Sequence, residues 1–275
     1  MTTTGMPLPD VAVTQRLLGL APARGSRQAL AGPANRAYSY SELAATIQAA
    51  AAGLAWRGLH PRDVVGVHVP DAVCYALATH AIRAAGGVPS PVAAGLTVPE
   101  MAGQLADCGA RMLLTAPPLA AAALAAADRS WVRQVISFAE APGATPFEAL
   151  LRSGSLRAAG GRRSDPALLS YVPRPDGTLS PVALTQRELA AELDRLAVVA
   201  EIAEQDVVAA TPPAGDGRVY TALLDHALLS GATVVAATVE ALAATVAAWR
   251  ATVAIVPRAR DVGPAGSLRV LAVAP

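Results

Sequence analysis

The chain has 275 residues, 53% of them hydrophobic and 16% charged, with a formal net charge of +1 at pH 7; this length allows one large or two modest domains that bury their own cores without a disulfide or metal staple. A balance this near neutral sets up no field to gather nucleic acid, and the apolar stretches are broken by Pro117 and Pro118 or by Asp225 and His226, so none reads as a membrane span. Every basic residue other than histidine is an arginine and no lysine occurs, which excludes all mechanisms that need a catalytic lysine.

In chain order, Met1 to Asp10 lack a basic start followed by an apolar run, so no secretory signal is read and a cytoplasmic location is expected. From Tyr38 onward helical and strand-like segments alternate, the pattern of parallel sheets covered by helices. Ser41 is expected to cap a helix running to Arg57, ahead of Gly58 and Pro61. Val64 to Val69 reads as a buried strand, and Asp71 caps a helix that ends at Gly86 and Gly87. Thr97-Val-Pro-Glu100 is a capping box with proline in the first turn, opening a helix to Gly109. A strand at Arg111 to Thr115, an alanine-rich helix at Leu119 to Ala127 and a strand at Gln134 to Phe138 follow. Cys74 and Cys108 are far apart and belong to no Cys-x-x-Cys unit, so they read as thiols in a reducing compartment rather than as a zinc site or disulfide.

Pro142 to Asp165 is rich in glycine, serine and arginine with weak periodicity and reads as a connector. The expected fold is α/β, two lobes of mostly parallel sheet flanked by helices, divided into residues 1–165 and 166–275. The second lobe opens with strands at Ala167 to Val172 and Val182 to Leu184. Thr185-Gln-Arg-Glu188 is a second capping box, for a helix to Ile202. Strands at Val207 to Thr211, Thr233 to Ala237, Thr252 to Val256 and Leu268 to Val273 complete it, with helices at Val219 to Leu229 and Val239 to Arg250 between them. His60, His68, His80 and His226 read as isolated, and Asp225-His226 makes a poor acid/base pair because adjacent helical residues point apart.

Three segments carry a resemblance. Tyr38-Ser-Tyr-Ser-Glu-Leu43, the run from Gly58 to Val69 and the run from His80 to Pro89 resemble, in order and spacing, the opening segments of the large N-terminal domain of adenylate-forming acyl-CoA synthetases and adenylation domains. Ser267-Leu-Arg-Val-Leu-Ala-Val-Ala-Pro275 is similar to a later strand of that domain, and the chain stops there. The resemblance implies that the adenine, ribose and magnesium segments and the C-terminal lid lie beyond it, to be supplied by a partner.

Leu168 to Leu189 falls on that family's ATP-phosphate loop, where active members read roughly Tyr-Ser-Ser-Gly-Thr-Thr-Gly-x-Pro-Lys-Gly. Here the loop reads Tyr171-Val-Pro-Arg-Pro-Asp-Gly-Thr-Leu-Ser-Pro181. Pro173, Pro175 and Pro181 have no N–H to give, Asp176 places a carboxylate among would-be phosphates, and Ser180 stands at the lysine position. The resemblance leaves Gly177, Thr178, Ser180 and Thr185 as a vestigial nucleotide loop, with no catalytic residue and no metal ligand. Gly215 and Asp216 stand where the family carries an aromatic residue and a histidine beside its acyl pocket. The expectation is a pseudoenzyme that binds no cofactor. It is expected to act as a binding, scaffolding or regulatory partner in acyl or secondary metabolism, as a homodimer or in a complex with a complete ligase or carrier protein, with an acyl ligand allowed and neither nucleic acid nor membrane as a partner. The alternative is a divergent acyl-activating enzyme that holds ATP and Mg with unorthodox residues.

Overall fold

The computed structural model describes residues 12–33, 36–154, 162–174, 178–212, 217–261 and 268–273. Helices α1 (Val13–Leu18) and α2 (Ala21–Arg24) and strands β1 (Gln28–Ala31) and β2 (Ala37–Ser39) precede α3 (Tyr40–Trp56). Next come β3 (Val64–Val67), α4 (Ala72–Ala84), β4 (Val88–Pro91), α5 (Val98–Asp107), β5 (Met112–Thr115), α6 (Pro117–Ala127), β6 (Gln134–Ser137) and β7 (Thr145–Pro146). Two short 3-10 turns lead to β8 (Pro166–Pro173), β9 (Leu179–Thr185), α7 (Gln186–Val199), β10 (Val207–Ala210) and α8 (Gly217–Leu229). The described chain closes with β11 (Thr233–Ala236), α9 (Leu242–Trp249), β12 (Val253–Val256) and β13 (Arg269–Ala272).

Two sheets organise these elements. One is wholly parallel, in the order β4-β3-β5-β6-β7; the other runs β13-β12-β10-β11-β1-β2, with β2 alone antiparallel; β8 and β9 form a separate hairpin. Their strands read as near-continuous apolar runs because both faces are covered. Met112, Leu114 and Ile136 face the core shared by the two sheets, while Leu113 and Val135 face α5 and α6 with Met101, Leu105 and Ala123. Helix α4 is buried on every side, packed between β3 and β4 of one sheet and β11 of the other, and its alanines keep those layers close.

The α/β class with parallel sheets flanked by helices is observed, but the sheets do not divide at residue 165. Leu30 and Ala31 of β1 pair with Val234 and Val235 of β11, so the N-terminal segment completes the sheet built by the C-terminal strands. The expected Ser41 cap is also corrected: Ser39 Oγ accepts from the Glu42 N–H and the Glu42 carboxylate takes the Ser39 N–H, so the helix starts two residues earlier. Helix α6 likewise starts at Pro117, since proline suits a first turn that has no N–H partner. Asp71 and Thr97 cap α4 and α5 as expected.

Candidate functional site

The hairpin that carries the vestigial loop is held by its own groups. Strands β8 and β9 stay in register from Leu168↔Leu184 to Pro173↔Leu179, leaving Arg174 to Thr178 as the connection. The Arg174 N–H donates to the Thr178 carbonyl at 2.7 Å, and its guanidinium donates to Ser180 Oγ at 2.9 Å. A phosphate cradle needs several N–H groups converging on one point, with hydroxyls and a cation turned toward it. Here the Arg174 N–H faces into the turn, its side chain lies along the strand, and Pro173 and Pro181 hold no donor. The described part of the hairpin does not fit a triphosphate.

Of the four residues expected in this loop, Gly177 lies outside the described residues. Thr178 and Ser180 come together around Arg174. Thr185 does not join them: five residues along an extended strand place it about 17 Å from Ser180. It caps α7 instead, its hydroxyl accepting from the Glu188 N–H and donating to the Glu188 carboxylate at 2.8 Å. The Thr185 N–H and hydroxyl, in that order, hold the Glu188 carboxyl below its ordinary range.

A cavity of about 530 Å³ opens beside the hairpin, lined by Thr178, Leu179, Tyr171 and, from α5, Glu100, Gln104 and Asp107. The Tyr171 hydroxyl donates to Asp107 Oδ2 at 2.5 Å, tying the hairpin to α5, and burial together with that bond raises the phenol's pKa. Glu100 is engaged by the Thr97 cap. The charged walls of this cavity are carboxylates, the wrong sign for a phosphate.

His80 is expected from the sequence to be isolated, and the structure corrects this. Its Nδ1 lies 3.0 Å from Thr14 Oγ1 of α1, and its Nε2 lies 3.2 Å from Asp225 Oδ1 of α8, off the line of a hydrogen bond. Arg83, one turn along α4, donates to Asp225 Oδ2 at 2.8 Å and to the Ala167 carbonyl of β8 at 2.9 Å. Asp225 therefore pairs across helices rather than with its neighbour His226. Hydroxyl, imidazole and carboxylate meet here as in a nucleophilic triad, but His80 and Asp225 have side chains only 1% and 2% exposed, and neither line the cavity beside the hairpin nor lie open to solvent. The signal in the sequence is an acid within the mostly apolar run of residues 222–229, which must find a cation when buried.

His68 is also in the core, its Nδ1 3.2 Å from the Val92 carbonyl, and burial lowers its pKa. Asp216 and Gly215 lie outside the described residues. Among the described residues no three His, Cys, Asp or Glu side chains cluster as metal ligands, and no helix is long and apolar enough to cross a membrane.

The AMP-binding enzyme family model matches residues 21–262. Among solved structures, the Mycobacterium smegmatis MbtA apo structure superposes with a TM-score of 0.81 at 24% identity, covering 90% of this chain and 48% of that one. A long-chain-fatty-acid-CoA ligase (FadD1) from Archaeoglobus fulgidus gives 0.80 at 19%, covering 91% and 52%. A benzoate CoA ligase from Burkholderia xenovorans LB400 gives 0.75 at 24%, covering 90% and 50%. The chain spans about half the length of each of these.

Proposed function

The chain belongs to the AMP-binding enzyme family, and from that premise we propose that it is an acyl-CoA synthetase-like member that has lost ATP-dependent ligase chemistry and serves as a binding or scaffolding partner in acyl metabolism. The observation that carries the reading is the Arg174 to Ser180 bond, which engages a cation and a hydroxyl of the loop inside a proline-flanked hairpin. Removing one preorganised donor to a developing charge commonly costs about two to three powers of ten in rate, and several are missing together. No lysine exists elsewhere in the chain to replace them.

The partner proposed is a second copy, a complete ligase or a carrier protein, in the cytoplasm. Strand β13 supports it, because it lies at the end of the six-stranded sheet and its outer side pairs with no other described strand. Arg174 favours the rival reading, an active enzyme with unorthodox residues, since a guanidinium can grip phosphate if it leaves Ser180.

Two assays on the full chain separate the readings. The proposal expects no ATP–pyrophosphate exchange with any member of a broad carboxylic acid panel, and no rise in melting temperature with ATP or an acyl-sulfamoyl adenylate mimic. Exchange with any acid, or a dose-dependent rise, would favour the active enzyme. Light scattering that shows only monomer, joined to an empty pull-down with a ligase and a carrier protein, would remove the scaffolding role.

A further inference from the structure

A second cavity, of about 590 Å³, shares no lining residue with the one beside the hairpin. It sits where the carboxyl ends of strands from both sheets meet: Gly32 follows β1, Ala116 follows β5, Phe138 follows β6 and Ala237 follows β11. A crevice outside the carboxyl ends of parallel strands is the usual ligand position in open α/β sheets, and this volume falls within the range of small-molecule pockets.

Its walls state what it can take. Pro33, Pro70, Pro117 and Pro118 line it and have no N–H. Helix α6 opens on the last two, so its first turn is short of the donors that make a helix start attractive to anions. The charged groups cancel: Arg36 donates to Asp71 Oδ2 at 2.8 Å and to Cys74 Sγ at 2.7 Å, which neutralises the pair and commits the guanidinium. Phe138 and the half-exposed Trp249 add aromatic surface. A phosphate or carboxylate here would meet Asp71 and few donors, whereas an uncharged apolar molecule would lose nothing by entering.

We infer that this inter-sheet cavity is a binding site for a neutral, largely apolar small molecule, independent of the fate of the nucleotide loop. Fluorescence titration of the full chain with N-phenyl-1-naphthylamine, an uncharged apolar dye, tests it. Saturable binding near one dye per chain is expected. It should weaken at least tenfold in Ala241→Trp, which fills the rim from an exposed position and leaves the fold intact, and in Ala236→Phe, which fills the wall. Leu179→Ala, at the other cavity, should leave it unchanged. Absence of saturable binding, or equal binding by the native chain and Ala241→Trp, overturns the inference.

Discussion

Asp225 stays ionised in the core because Arg83 and His80 face it from one side of α4. Burial by itself would push this carboxyl up, but Arg83 first and His80 second outweigh it and hold it below the ordinary value. Asp206 shifts the same way: burial opposes, and Thr252, the Ala203 N–H and Arg269 prevail. A carboxyl lower in the folded than in the unfolded chain contributes stability above its unfolded pKa of about 3.9, and that contribution is lost as pH falls through the folded value. Stability should therefore drop as the pH is lowered below about 5, followed by urea unfolding. Arg83→Met should cost about 3–5 kcal/mol at pH 7 by leaving a buried carboxylate without its guanidinium, and adding Asp225→Leu should recover much of it and flatten the acid slope. An additive double variant would contradict the pairing. Burial beside Asp71 pushes the Cys74 thiol up to about 12, so iodoacetamide at pH 8 should label it only after unfolding. None of these pairings could be read from the sequence, because Thr14, His80 and Asp225 are brought together by tertiary packing alone.

Helix ends were the most legible features, since a cap is a local agreement between residues three apart. Thr97 with Glu100 and Thr185 with Glu188 are legible as pairs in the sequence, whereas Ser39 and Ser41 are serines beside the same apolar run and the sequence does not separate them. Thr185→Ala should cost about 1 kcal/mol in thermal or urea unfolding with no effect on any nucleotide response, as a cap should; a selective loss of ATP binding would return Thr185 to the nucleotide site. Gly53 within α3 offers a sharper case. Propensity alone favours alanine there by about 1 kcal/mol. A Cβ, however, would lie 2.4 Å from the Leu150 carbonyl oxygen and 2.5 Å from its Cα, so Gly53→Ala should destabilise the chain, measured by the same unfolding curves. Sequence periodicity shows a helix at Gly53 but not the backbone that presses on it.

At the scale of the molecule, alternation of strands and helices gave the class, while membership of strands in sheets stayed hidden. Gln28 to Ala31 is too short and alanine-rich to announce a strand, and its partner lies some two hundred residues away. Tyr40 strengthens that join, its hydroxyl donating to the carbonyls of Leu228 at 2.8 Å and Ala232 at 2.9 Å. Fragments 1–165 and 166–275 should accordingly fail to fold separately by circular dichroism, and the whole chain should unfold in one transition; two independently cooperative fragments would show that the sheets are autonomous. The loop's departure from the family's phosphate-binding pattern was legible in composition, through three prolines and the missing lysine, whereas the Arg174 to Ser180 bond across the hairpin was not. Titration calorimetry of the full chain with MgATP bears most directly on that departure. The hairpin as described predicts no saturable heat up to millimolar nucleotide. Saturable binding that disappears in Ser180→Ala would contradict it.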